Sequence, residues 1–307
     1  MGIIEELLGR PMSGPLTEIA FPMGLGVEVT NVCNLTCIMC PREQAQRGFD
    51  HMDFALFERI VEEAARYPDR AFLPQGFGES LLHPRWPEMM ALLHQKKISP
   101  IFVITNGTLL TPRNIEILLG SGITVISVSI DGVEDETFRK VRGGNLSKVR
   151  RGVQDLLAAK KARGALEPHI VLRIIRMKYT EDEIERFREE WTPLLNPGDE
   201  IAVSNFNTWA GKYDPDEFGR SADAFGAQQV GPLSPCRMLW RNLQIYWNGD
   251  VTPCCYDDNC EMWLGNVKEQ SIAEIFNGPL MRKYRGLHLR QEFSRIKVCA
   301  NCAEYVP

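Results

Sequence analysis

Apolar residues recur along this chain at two different periods, and the switches between them mark out its elements. Leu25, Val27 and Val29 alternate with Glu28 and Thr30, as in a strand with one buried face. Over 51–67 the period becomes helical: Phe54, Phe57, Ile60, Val61 and Ala64 form a stripe, Asp53 stands at the cap or in the first turn, and Pro68 closes the segment. Strands are then predicted at 71–73, 101–104, 124–130, 169–176 and 201–206, with helices at 85–96, 112–119, 147–163 and 181–191 between them. The 124–130 run is strongly β-branched and ends at Asp131-Gly132, while 181–191 places Ile184, Phe187 and Trp191 on one side. Six strands alternating with helices over about 180 residues predict an α/β fold with a mostly parallel sheet, a barrel or a doubly wound sheet. Binding loops in such folds follow the C-terminal ends of strands.

The flanks read differently. Residues 1–24 hold a short apolar segment at 3–8, then Pro11, Gly14, Pro15 and Pro22, which predicts a brief helix and an extended lead-in. Gly211, Pro215, Gly219 and Gly226 mark 208–235 as a bridge that orders around substrate. The remainder, 236–307, shows a hairpin signal at 243–252 around Asn248-Gly249 and a short helix at 271–276. The expected organisation is a lead-in (1–24), a barrel-like domain (25–207), the bridge (208–235) and a small C-terminal module (236–307).

Composition narrows the function classes. With 307 residues, 44% hydrophobic and 24% charged, the chain can bury one large core plus a satellite. A formal charge of -5 provides no general attraction to nucleic acid or anionic membrane, so neither is expected as a partner. A basic-poor N-terminus and the absence of an eighteen-residue apolar run predict a cytoplasmic protein without signal peptide or membrane span.

Nine cysteines change the picture. Cys33, Cys37 and Cys40 form one group; Cys236, Cys254, Cys255, Cys260, Cys299 and Cys302 form another, with none between 41 and 235. In a reducing compartment, two separated groups read as two metal sites rather than a disulfide scaffold. Three closely spaced thiolates suit three irons of a cubane cluster and leave the fourth iron open. Cys236, Cys254 and the Cys299-Ala-Asn-Cys302 pair would suit structural zinc or a fully ligated [4Fe–4S] cluster.

The Cys33-x3-Cys37-x2-Cys40 spacing resembles the signature of radical S-adenosylmethionine (SAM) enzymes. Further segments carry the resemblance. Gly76-Phe77-Gly78-Glu79 follows the second strand like the family's segment that meets the SAM amino group, and Thr105-Asn106-Gly107 follows the third like its ribose-side segment. Ser129 and Asp131 end the fourth strand, where the family places polar contacts to SAM; the plain reading of Asp131-Gly132 is a tight turn. Arg173 and Arg176 lie on the fifth strand, where either would bind the SAM carboxylate or orient substrate, but three-residue spacing sends them to opposite faces and favours Arg173 as the inward one. The resemblance implies a partial (β/α)6 TIM-like barrel and a [4Fe–4S] cluster bound with SAM. It also implies a 5′-deoxyadenosyl radical that abstracts substrate hydrogen, and an electron donor such as flavodoxin or ferredoxin.

The C-terminal cysteines, with Gly249 before Cys254, resemble the SPASM/twitch extension, in the shorter form with one auxiliary [4Fe–4S] cluster held by Cys236, Cys254, Cys299 and Cys302. Compact relatives dehydrogenate aminocyclitols or sugars, epimerise aminoglycosides or modify peptides. The four-cysteine set favours dehydrogenation of a hydroxyl-bearing amino sugar or aminocyclitol, because such a cluster can accept the electron left on the substrate. Cys260, in a polar loop, is the candidate hydrogen donor of an epimerase; an alternative cluster ligand and simple packing are its other readings, and packing is the main one for Cys255. Asp214, Asp216 and Glu217 would suit a cationic substrate, and His169 is a further polar candidate. No leader-peptide module is evident before the barrel, which weighs against a ribosomal-peptide substrate.

Overall fold

The computed structural model describes residues 20–219 and 235–302. The apolar 3–8 segment and Gly226 lie outside the described residues, as does most of the second half of the bridge.

Alternation produces the strands where it was expected. β1 (Gly24–Val27), β2 (Ala71–Leu73), β3 (Phe102–Thr105), β4 (Val125–Ser129), β5 (His169–Arg176) and β6 (Glu200–Asn205) follow one another in chain order. β1 and β2 pair in parallel, as do β3 to β6 in succession, and a single parallel bridge, Phe72 to Ile101, joins the two runs. The result is the open six-stranded barrel wall, with parallel crossovers made by helices.

Helices α1 (Phe54–Ala64), α2 (Trp86–Gln95), α3 (Pro112–Gly120), α5 (Leu146–Arg163) and α6 (Ile184–Trp191) cover the outer face. Asp53 caps α1, accepting from the backbone N–H of Ala55 and Leu56. Leu25, Val27, Val128, Leu172 and Ile174 point outward into one core with Phe57, Leu93, Leu118, Leu156 and Phe187. Within it Lys160 and Asp199 form an ion pair with both side chains fully buried, and Asp199 also accepts from the N–H of Ile170 and Asn196. The opposite parity, Ala71, Phe102, Val125 and Val171, packs an apolar floor inside the barrel. Above that floor the same parity brings Ser127, Ser129, Arg173 and Ser204 inward.

Three features depart from expectation. α4 (Asp135–Arg142) was not predicted, since only Phe138 and Val141 among eight mostly charged residues show a core stripe. α9 (Pro279–Leu289) was likewise unforeseen, and short helices α7 (Met238–Arg241), α8 (Ile272–Phe276) and α10 (Lys297–Ala300) flank it. Most consequentially, the C-terminal hairpin shares a sheet with the barrel. β7 (Asn242–Ile245) pairs in parallel with β1, and β8 (Asp250–Thr252) and β9 (Gly265–Asn266) extend the sheet in the order β2-β1-β7-β8-β9. The open edge of β1 is thereby covered. The hairpin turns on Trp247-Asn248, closed by Gly249 N–H to Tyr246 O at 2.8 Å, with Gly249 at φ +92° as the left-handed residue after the turn. Among the described residues, no helix is long and apolar enough to cross a membrane.

Candidate active site

The three-cysteine loop leaves β1 at the C-terminal end of the barrel and is fixed from four directions. Glu79, buried at 2% exposure, accepts from Asn106 N–H at 2.7 Å and Thr105 Oγ1 at 2.9 Å, which staples the post-β2 segment to the post-β3 segment. Asn106 then reaches the cysteine loop, with Nδ2 3.0 Å from Asn34 Oδ1 and 3.9 Å from Cys33 Sγ. Desolvation pushes the Glu79 carboxyl above its ordinary value. Glu79, Thr105 and Asn106 therefore have protein partners that set the loop's position, over and above any contact with SAM.

Gly76 and Gly78 also serve the loop. A Cβ at position 76 would run into the Glu28 side chain, and one at 78 would lie 2.7 Å from Val32 O and 2.8 Å from Asn31 Cα. Those neighbours are the backbone leading into Cys33, and Glu79 N–H donates to Val32 O at 3.0 Å. Gly78→Ala is expected to push the loop outward, destabilise the fold by about 1–3 kcal/mol, and lower iron retained after anaerobic reconstitution; unchanged iron and unchanged denaturation midpoint would refute this packing role.

Asp131, expected as a polar contact to SAM, has protein partners on both carboxylate oxygens. Its side chain is fully buried; Oδ1 accepts Ile175 N–H at 2.6 Å and Oδ2 lies 2.7 Å from Arg142 Nη2. Arg142, on the unforeseen α4, places Nη1 3.5 Å from Cys37 Sγ. Of the fifth-strand arginines, Arg173 points inward, opposite Ser129 in register and donating to Ser204 Oγ at 2.8 Å. Arg176 faces solvent in an ion pair with Glu181, so its expected catalytic position is corrected: strand alternation carries it away from the lumen. His169 is the first residue of β5, at the other end of the barrel, and its Nδ1 lies 3.1 Å from Gly198 O. Asp214 caps a short 3-10 turn, accepting from Asp216 N–H.

The four cysteines expected as auxiliary ligands share one pocket wall. Cys236, Cys254, Cys299 and Cys302 line one cavity of about 150 Å³, joined by Cys255 and His288. Burial raises the Cys236 thiol and lifts Cys254 well above its ordinary value; at the first site it raises Cys33 and pushes Cys40 up to about 11. Metal binding at either place must therefore displace protons. The buried His288 accepts from Cys236 N–H at Nδ1, and burial lowers its pKa to about 4, so the ring is neutral. Cys255, expected mainly as a packing residue, is among the residues that line this cavity. Cys260 stands outside it, at φ +59°, with Sγ 3.9 Å from Val251 O, and burial raises its thiol so that it keeps its proton.

The segment after β6 touches both cysteine groups. Trp209 donates from Nε1 to Met39 O at 2.7 Å and packs its ring 5.5 Å from Phe77 and 5.6 Å from Tyr256. Ala210 lines the auxiliary cavity, and Gly211 approaches Asn301 between Cys299 and Cys302. Trp209, Ala210 and Gly211 all have positive φ, at 52°, 60° and 85°, an arrangement that costs energy at the two non-glycine positions. A second seam is ionic. Glu28, fully buried, receives both Nη atoms of Arg47 at 2.8 and 3.0 Å; Arg47 Nε donates to Asp258 O at 2.6 Å, and its guanidinium stacks 3.7 Å over the Tyr246 ring. Asp258 in turn pairs with Lys212 of the bridge. Arg142, Arg47, Trp209 and His288 were not singled out from sequence; Glu28 alone left a signal, a charge between Val27 and Val29 on the inward parity of β1.

Comparison with known proteins bears on both sites. The radical SAM superfamily profile matches residues 27–190. The chain belongs to the radical SAM superfamily. An iron–sulfur cluster-binding domain, SPASM, matches residues 236–303. A probable GTP 3′,8-cyclase of Methanococcus maripaludis is 30% identical over 286 residues, covering 84% of this chain and 91% of that protein. A Pyrococcus furiosus protein described as a tungsten-containing aldehyde ferredoxin oxidoreductase cofactor-modifying protein is 28% identical over 184 residues, 59% of this chain and 51% of its own; the chain matches about half the length of that relative. Among solved structures, BtrN in complex with AdoMet and 2-DOIA aligns over 94% of both chains at TM-score 0.63 and 19% identity. Streptococcus suis SuiB bound to the precursor peptide SuiA aligns over 88% of this chain and 68% of its own at TM-score 0.69 and 16% identity.

As a radical SAM protein with a SPASM domain, the chain is an enzyme using a [4Fe–4S] cluster with SAM and auxiliary iron–sulfur chemistry. The residues present fit that cofactor set. The fit is one of donor type: each group offers soft thiolate donors, three on one loop and five lining one cavity, while among the described residues no three such side chains are gathered closely enough to hold a metal ion. Hydrogen-bond donors stand beside two sulfurs of the first group, Arg142 at Cys37 and Asn106 at Cys33.

Proposed function

We propose that this radical SAM enzyme dehydrogenates a hydroxyl-bearing small molecule, an amino sugar or aminocyclitol, in the barrel lumen. Cys33, Cys37 and Cys40 hold the SAM cluster and Cys236, Cys254, Cys299 and Cys302 the auxiliary one. The observation that carries this reading is the cavity lined by Cys236, Cys254, Cys299 and Cys302 together with Cys255; four such thiolates would ligate every iron of a cubane and leave no iron open to substrate. When bound, cluster and SAM supply the radical that removes a substrate hydrogen atom.

The chain's own groups do the rest. Ser127, Ser129, Arg173 and Ser204 offer hydroxyl and guanidinium contacts on three neighbouring strands, suited to orienting a polyol. Phe77, Trp209 and Tyr256 wall the space between the cysteine groups and limit water. The cations beside the cysteine loop, Arg47 and Arg142, are matched by Glu28 and Asp131, an arrangement that suits a substrate of low negative charge better than a nucleoside triphosphate. Two further readings belong beside it. Epimerisation would use the protonated Cys260 as donor, and a peptide substrate is the reading suggested by the subtilosin biosynthesis protein AlbA of Bacillus subtilis, 23% identical over 284 residues.

Reaction in deuterium oxide separates them. Reduced enzyme is incubated with SAM and a panel of aminocyclitols, amino sugars, GTP and short peptides. Dehydrogenation gives product two mass units below substrate. Stable deuterium uptake without other mass change, lost in Cys260→Ala, would replace it with epimerisation; turnover confined to GTP or to peptides would overturn the substrate class.

A further inference from the structure

Cys37 is the cysteine of the first group whose sulfur meets a guanidinium. Arg142 Nη1 lies 3.5 Å from its Sγ, and the Cys37 thiol lies 3.8 Å from the carbonyl of the same arginine. Nη2 of Arg142 is 2.7 Å from Asp131 Oδ2, whose other oxygen is fixed by Ile175 N–H at 2.6 Å. Both side chains are buried, at 10% and 0% exposure, where charge interactions are weakly screened. Asp131 adopts φ +51°, a conformation uncommon outside glycine, and it holds the carboxylate in this position. Of the other buried cations beside the loop, Arg42 donates to Leu35 O and pairs with the half-exposed Glu43, and Arg47 pairs with Glu28.

We propose that Arg142, held in place by Asp131, is a positioning residue that sets the reduction potential of the SAM cluster through its contact with Cys37. The proposal rests on Cys37 being a ligand of that cluster. Reduction adds one electron to the cluster, and an N–H donor and positive charge at a ligand sulfur stabilise the more negative state, so they raise the potential. The Asp131 carboxylate opposes that effect by partly neutralising the guanidinium. The two residues therefore act with opposite signs on potential, whereas a merely structural pair would act alike. Arg142→Gln removes the charge and is expected to lower the potential. Asp131→Asn keeps an oxygen for Ile175 N–H but unmasks the guanidinium, and is expected to raise it. Arg142→Lys keeps the charge without the fork that reaches sulfur and carboxylate together, and is expected to fall between wild type and Arg142→Gln.

The test is EPR-monitored redox titration of anaerobically reconstituted full-length protein, with SAM added to mark the signal of the SAM cluster against the auxiliary one. The expected shifts are about tenfold in the reduced-to-oxidised ratio at fixed potential, equivalent to about 59 mV for a one-electron couple, downward for Arg142→Gln and upward for Asp131→Asn. The auxiliary signal is expected to stay in place. Shifts in the same direction, or none in Asp131→Asn and Arg142→Lys, would overturn the proposal even if Arg142→Gln failed to fold. A wild-type protein whose signal does not respond to SAM would instead overturn the ligand assignment on which it rests.

Discussion

Cys40→Ala is expected to reduce SAM cleavage to background while leaving roughly half of the reconstituted iron in place, because it removes one ligand from a three-ligand site and none from the four-ligand site. Cys40 closes the loop, its N–H donating to Cys37 O at 3.1 Å and its carbonyl accepting from Tyr213. Cys254→Ala is expected to do the opposite. Its thiol belongs to the C-terminal cavity, so iron should fall by a similar share while uncoupled SAM cleavage persists and product formation is lost. Iron and sulfide analysis with quantified 5′-deoxyadenosine measures both. SAM cleavage surviving in Cys40→Ala, or vanishing equally in both variants, would contradict the division of labour between the two groups.

Arg47→Met should be the most damaging single change away from the cysteines. It leaves Glu28 fully buried without its cation, a loss of about 3–5 kcal/mol, and removes the stack on Tyr246 and the bond to Asp258 O. Among the described residues, the backbone N–H groups of Phe77 and Trp247 would still face the Glu28 carboxylate. Because Arg47 lies seven residues beyond Cys40 and clamps that flank onto the C-terminal hairpin, iron loading at the first site should fall along with stability. Denaturant unfolding of Arg47→Met, Glu28→Gln and the double variant measures the coupling. Recovery of most of the loss in the double variant is expected; purely additive losses would show that the pair is not energetically linked.

Much of the barrel was legible because its signals are local. Strand parity at Leu25–Val29, the β-branched run before Asp131 and the helical stripe from Phe54 to Ala64 each bury one face, and burial of that face is what folding rewards. The charged helix Asp135–Arg142 escaped the same reasoning, since its anchors are two apolar residues and its function lies in Arg142, whose partners are 105 positions earlier and eleven earlier in the chain.

The sequence alone determined the donor chemistry: three thiols within eight residues and a terminal pair with two more, the soft ligands of iron–sulfur clusters. It also determined that Arg173 and Arg176 would part company, because a strand has a period of two. Tertiary structure decided what surrounds those groups. It seated the C-terminal hairpin on the edge of β1, placed Cys236, Cys254, Cys299 and Cys302 around one cavity, paired Asp131 with Arg142, and set Trp209 against both cysteine groups. Spacing fixes which atoms a short loop can offer; charge pairing and contact across long separations arise only when distant strands bring their ends to one face.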